Sequence, residues 1–313
     1  MNTPGDRPTH ARRSCTGESH RALVAPGGGE CAIPAAECRQ QAALESDVLL
    51  KGKGLGGLTP YPLGIVGVRP EPHRLTVRLL KEPFVIAHWA MRLLPFFDSA
   101  DDSPADAVGG VPGLRSRIDG NHVRLTRPGT TASVRLTGFN PRWWTRAVAA
   151  GRPGELYEPL FELPDWSRAE RIAAQLRLPV TEEQDPRVGS AILRRIRATT
   201  GPGTANGTDV WVTTVGNRVD WSLETTDGPS CRDLLRLFTQ APTGAGWRVD
   251  FQDCHCADVA RKGSCRAKLL TDDPKQVVHY SNLRWQRLTM TPDSIDMRAR
   301  CNAIAFRASK AEA

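Results

Sequence analysis

The stretch "RSRIDGNHVRLTR", residues 115–127, constrains the fold more than any other part of the chain, because two alternating runs meet at Asp119-Gly120. An Asp-Gly loop between alternating segments specifies a tight antiparallel hairpin. Centred on those two residues, the hairpin pairs Ile118 with Asn121, Arg117 with His122, Ser116 with Val123 and Arg115 with Arg124. Side chains alternate along a strand, so register fixes the faces. Arg115, Arg117, His122 and Arg124 fall on one side, and Leu114, Ser116, Ile118, Val123 and Leu125 on the other. A third strand, "TASVRLTGF", adds Val134 and Leu136 to the apolar side and Arg135 to the basic side. This is the pattern of a half-buried antiparallel sheet.

Like charges opposed across strands are destabilising by roughly 0.2–1 kcal/mol per pair, so the basic face calls for an anion. Between Gly113 and Arg152 the chain has eight Arg, no Lys, and Asp119 as its one acidic residue. The segment closes with "FNPRWWTR", which sets Phe139, Trp143 and Trp144 beside Arg142 and Arg146. Arginine with aromatic rings is a composition that can hold phosphates and stack bases. Overall, 42 basic residues, 35 of them Arg, face 34 acidic ones, for a net charge of +8. That balance favours a polyanionic partner. The coding bias of a GC-rich genome also inflates arginine, so placement rather than number carries the argument.

A second basic surface is expected on helices. "SRAERIAAQLRLP" has Ser167 as N-cap and Ala169, Ile172, Ala173 and Leu176 on one face; "DPRVGSAILRRIRATTG" has Asp185 as N-cap and Pro186 at the first helical position. In the second helix Val188, Ala191, Ile192 and Ile196 form the apolar side, opposite Arg187, Ser190, Arg194 and Arg197. Followed by the hairpin "DVWVTTVGNRVDWSLE", the order resembles a winged helix-turn-helix motif. That resemblance implies a DNA-reading role for Arg187, Arg194 and Arg197. It departs from the motif in one respect, since six residues, Pro179 to Gln184, separate the helices where the motif has a short turn.

The third feature is "FQDCHCADVARKGSC", which supplies Cys254, His255, Cys256 and Cys265, with His279 further on. Cys254, Cys256, Cys265 and His279 could complete a tetrahedral zinc site, although Cys-x-Cys is tighter than the common knuckle. Buried thiols, a redox pair, and a catalytic Cys256 with His255 or His279 as base are the alternatives, as are Asp250 and Asp253 as carboxylates of a nuclease. "KGKGLGG" lacks the Gly-Lys-Ser/Thr of a phosphate loop.

Strand-like and helix-like segments mix without strict alternation, which predicts an α+β fold of antiparallel hairpins and short helices, with no internal repeat. Residues 1–47 show no apolar periodicity and read as a disordered tail carrying Cys15, Cys31 and Cys38; 48–200 is an Arg-rich α+β region with the basic hairpin, and 201–313 a strand-rich region with the Cys/His cluster, giving two small lobes. The longest apolar stretch, Phe84 to Phe97, is broken by His88 and Arg92 and is too short to span a bilayer. With no signal-like run at the start and eight cysteines, the expected location is the cytoplasm, without a membrane partner. The expected function is non-catalytic binding of nucleic acid, DNA slightly ahead of RNA. An enzyme acting on nucleic acid or another anionic substrate, with its chemistry near 250–279, is the alternative. An interaction scaffold without a ligand site is the third.

Overall fold

The computed structural model describes residues 6–24, 31–55, 58–98, 107–151, 157–177, 185–201, 207–215, 217–226, 228–254 and 264–283. The first half contains helices α1 (Asp6–Thr16), α2 (His20–Val24) and α3 (Arg39–Lys51), strands β1 (Ile65–Glu71) and β2 (Arg74–Leu79), and α4 (Pro83–Leu93). There follow β3 (Phe96–Asp98), β4 (Val108–Gly109), β5 (Arg115–Asp119), β6 (His122–Thr126), β7 (Ser133–Thr137), α5 (Pro141–Ala150), β8 (Tyr157–Pro159) and α6 (Arg168–Arg177). The second half contains α7 (Arg187–Arg194), β9 (Gly207–Val215), β10 (Arg218–Thr226), α8 (Cys231–Thr239), β11 (Arg248–Asp253), β12 (Ser264–Leu270) and β13 (Gln276–Leu283).

The strands form two five-stranded sheets, β1-β2-β7-β6-β5 and β11-β12-β13-β10-β9, and a small sheet β4-β3-β8. Both large sheets have the same connectivity. A hairpin is followed by a helix, then by a three-stranded meander whose last strand returns parallel to the hairpin's second strand, β7 beside β2 and β13 beside β10. The plan extends upstream: α3 and a 3-10 turn, Pro62–Gly64, precede β1, while α7 and a 3-10 turn, Ile196–Thr199, precede β9. Helices α3 and α7 pack on each other, and each 3-10 turn rests against the first strand of the other half. The α+β fold with two sheet-based lobes is therefore one topology used twice. No repeat is visible in the sequence, because topology follows from alternation and segment order rather than from identical residues.

Each sheet buries one face. In the first lobe Leu75, Val77, Leu79, Val123, Leu125, Val134 and Leu136 meet α4 through Val85, Ile86, Trp89 and Leu93; in the second, Val219, Trp221, Leu223, Leu269 and Val278 share a core with Leu234 and Phe238 of α8. The core is continuous across both lobes. At its centre a fully buried ion pair joins α3 to α7. Arg194 donates from Nε and Nη2 to the two oxygens of Glu45, each at 2.7 Å, and Ser190 Oγ and Gln41 Nε2 donate to the same carboxylate at 2.5 and 2.7 Å.

Two expectations change. Part of the expected tail is helical, with Cys15, Ala42 and Leu44 wholly buried. Burial pushes the Cys15 thiol up to about 11, against the opposing charge of Arg195. Polar anchors hold α1 where apolar residues are scarce: Arg12 Nε donates to Glu18 at 2.8 Å and Nη1 to the Ala32 carbonyl at 2.7 Å. The hairpin turns at Gly120-Asn121, so that Asp119 faces His122, Arg117 faces Arg124 and Arg115 faces Thr126. Gly120 has φ 60°, the positive angle a type II′ turn requires at its first central position. A slip of two in the pairing preserves parity, so the expected faces survive.

Candidate functional sites: a basic sheet face and a thiol cluster

The open face of the first sheet carries a row of residues in register across all five strands: Arg69, Thr76, Arg135, Arg124 and Arg117. Adjacent strands lie about 4.8 Å apart, so three consecutive guanidinium side chains rise from neighbouring strands. Arg117 and Arg124 are exposed and Arg135 is half-buried with its Nε unpartnered. Among the described residues no carboxylate pairs with these three, whereas Arg69 has Glu71 at 3.6 Å. One row along, Arg78 faces Thr137 on the neighbouring strand, while His122 lies 3.3 Å from Asp119.

Several residues expected in this interface stand elsewhere. Arg115 is consumed internally: its Nη1 and Nη2 donate to Glu170 at 2.8 and 2.9 Å, its Nε to the Leu163 carbonyl at 2.7 Å and its Nη2 to the Asp165 carbonyl at 2.6 Å. Glu170 also closes a capping box on α6, accepting from Ser167 N at 2.9 Å while Ser167 Oγ accepts from Glu170 N at 3.0 Å. Burial alone pushes the Glu170 carboxyl up, but hydrogen bonds from Arg115, Ser167 and Gly113 outweigh it and hold it below the usual range.

Helix α5 packs on α4 and β6, and Trp144 Nε1 donates to Ser116 Oγ at 3.3 Å, on the apolar face. Arg142, Trp143 and Trp144 therefore lie across the sheet from the arginine row, with Trp144 buried and Trp143 packed against the core. Trp143 and Trp144 do not share a face with Arg117, Arg124 and Arg135.

The two expected DNA-binding helices also part. α6 packs on the small sheet at β4, α7 packs on α3, and β9 and β10 are the edge strand of the second sheet and its neighbour. Arg194, expected on a solvent face, is fully buried against Glu45 and beyond the reach of a nucleic acid. An apolar periodicity with four polar residues opposite looks the same whether that opposite side meets water or a buried carboxylate. Arg187 is exposed beside Asp185 at 3.4 Å. Arg197 lies in the 3-10 turn, its guanidinium 4.5 Å above the Tyr61 ring.

On the buried side of the second sheet, three cysteines from separate elements converge. Cys231 is the first residue of α8, directly after the capping Ser230; Cys254 follows the last residue of β11; Cys265 lies in β12. Their Sγ atoms all lie within 4.8 Å of one another, with Cys231 and Cys265 buried and Cys254 partly so. None is in a disulfide. Zn–S bonds of about 2.3 Å place tetrahedral thiolates about 3.8 Å apart, so a small contraction suffices for this triad to hold a metal ion such as zinc.

The ligand set differs from the expected one. His279 pairs with Lys268 and Cys265 with Asn282, an odd offset that puts His279 on the opposite face, where its Nε2 is 3.5 Å from Asp220. Cys256 and His255 lie outside the described residues. Cys231 was missed because only the packing of α8 on the sheet brings it to residues more than twenty positions away.

The chain matches no protein-family model, no curated protein and no solved structure.

Proposed function

We propose that the protein binds nucleic acid non-catalytically on the open face of its first sheet. The observation that carries this reading is the in-register run of Arg135, Arg124 and Arg117, three neighbouring cations without a carboxylate partner among the described residues. Such a row loses repulsion and gains charge-assisted hydrogen bonds when phosphates replace counterions along it. Trp143 and Trp144 are turned away from this face, so the tryptophans expected to stack bases do not join the arginine row. The expected binding follows the backbone, independent of sequence, and DNA and RNA both qualify.

The test is fluorescence anisotropy of labelled oligonucleotides over a salt series. Replacing both Arg117 and Arg124 by Gln is expected to weaken binding about tenfold or more for every sequence and to flatten the salt slope by about 2. Unchanged affinity and slope in a folded double variant overturn the reading.

Zinc is the metal assigned to the Cys231, Cys254, Cys265 triad, because buried thiolates select a soft-to-borderline cation and zinc has no redox chemistry to damage them. Metal analysis of the purified chain is expected to find about one zinc per chain. Cys231→Ser should lower that content, and His279→Ala should leave it unchanged. Loss on His279→Ala with retention on Cys231→Ser would restore the ligand set expected from sequence.

A further inference from the structure

A hollow of about 370 Å³ opens beside Arg78, where the end of α1 crosses β1; its lining includes His10, Arg13, Ser14, Tyr61, Arg78 and Arg197. Gly17 sits at this crossing with φ 69°, and a Cβ there would come 2.6 Å from the Val66 carbonyl and 3.1 Å from Arg197 Nε. The backbone turn and the absent side chain together leave Arg197 room beside the hollow.

Three guanidinium groups meet here with few obligations of their own. Arg197 is fixed over the Tyr61 ring, its Nη1 making one long contact of 3.5 Å to the Ile65 carbonyl while its Nε has no partner. Arg78 makes one contact of 3.5 Å to the Gly17 carbonyl. The one carboxylate in the lining, Glu18, is held by Arg12 through Nε at 2.8 Å and Nη2 at 3.4 Å. Among the described residues, no carboxylate pairs with Arg13, Arg78 or Arg197. Burial lowers the Arg197 pKa; Tyr61 opposes that shift, and the nearby charge of Arg78 adds to it, a charge that an added anion would offset.

We infer that this hollow is a binding site for a phosphate group, held by Arg13, Arg78 and Arg197. Guanidinium forks match the oxygens of a phosphate, and a dianion answers three clustered cations better than a single carboxylate would. Arg78 stands on the same sheet face as the arginine row, so the phosphate has two sources: the terminal phosphate of a strand lying on that face, which rests on the proposed function, or a free phosphate ester, which does not.

Isothermal titration of the full chain with inorganic phosphate tests the site. Saturable binding in the millimolar range or tighter is expected, weakened about tenfold or more by Arg78→Gln and by Arg13→Gln. Both side chains are exposed, so these variants keep the fold where Arg197→Gln would risk it. No saturation by about 10 mM, or binding by both variants as tight as that of the unaltered chain, overturns the inference.

A second arm compares 5′-phosphorylated with 5′-hydroxyl oligonucleotides of one sequence. About tenfold tighter binding of the phosphorylated strand, abolished by Arg78→Gln, identifies the strand end as the source. Phosphate binding without that preference identifies a free ester. Phosphate binding with no oligonucleotide binding at all removes the proposed function and leaves the phosphate site standing.

Discussion

The two lobes share one strand order and use their open faces in opposite ways. On the first sheet Arg69, Arg135, Arg124 and Arg117 line one row, with Arg78 in the next. On the second, the matching rows mix signs and types: Phe251, Lys268, His279, Ser222 and Trp211 in one, Asp253, Arg266, Ser281, Glu224 and Asp209 in the other. The second face neutralises itself, with Lys268 at 2.7 Å from Asp250, Arg218 at 2.7 Å from Asp220 and His279 at 3.5 Å from the same carboxylate. Burial pushes the Glu224 carboxyl up, and Asp209 across the strand adds to it. The same backbone thus tolerates a balanced face, so the fold does not require the imbalance on the first.

The buried sides differ as well. α4 opens on Pro83-Phe84-Val85, and α8 opens on Cys231 beside two other thiols. One lobe closes its helix start with apolar packing. The other has a donor set that a metal can close.

The comparison depends on the two lobes forming one body, and the largest effect tests that. Arg194→Ala leaves Glu45 buried without its counter-charge and is expected to destabilise the protein by about 3–5 kcal/mol. Urea unfolding should show one transition shifted as a whole. Two transitions, only one of them displaced, would make the lobes independent.

Acid should strike the first lobe next. Burial, helped by Arg92, lowers the His88 pKa from 6.5 to about 4. The unfolded chain therefore takes up that proton first, and stability is full above 6.5 and falls as pH drops toward 4. The window corresponds to about 3 kcal/mol at about 1.4 kcal/mol per unit. His88→Gln should flatten this part of the stability profile, and an unaltered profile would move the acid sensitivity elsewhere.

The thiol cluster singles out the second lobe. Chelation or Cys231→Ser is expected to cost about 2 kcal/mol or more, seen as a drop of several degrees in Tm. His279→Ala should do neither. Hydrogen exchange would sharpen the contrast if protection fell in α8 and β12 while β2 and β7 kept theirs.

The smallest effects on stability come from the open faces. Arg117→Gln with Arg124→Gln should change stability by less than about 1 kcal/mol, toward greater stability, because opposed like charges are removed. Lys268→Gln on the second face loses its contact with Asp250, an exposed pair worth about 0–1 kcal/mol. Nucleic-acid affinity should fall in the first variant and stay constant in the second. Equal loss in both would mean that net charge alone governs binding.

Sequence alone determined the α+β class, the Arg117, Arg124, Arg135 side of the meander and the places of β5 to β7, α6, α7, β9 and β10, because alternation and caps are local properties that survive a two-residue slip at the turn. Tertiary structure decided what each polar side chain meets. Arg115 and Arg194 look like Arg124 in sequence, yet Glu170 takes the first and Glu45 the second, through contacts 55 and 149 residues apart. Cys231 joins Cys254 and Cys265 only when α8 lies on the sheet, and His279 leaves them by strand parity. The doubled topology was equally hidden, since backbone pairing repeats without repeating residues. Local sequence sets which way a side chain points, but partners distant in the chain decide whether it is spent inside the fold or left for a ligand.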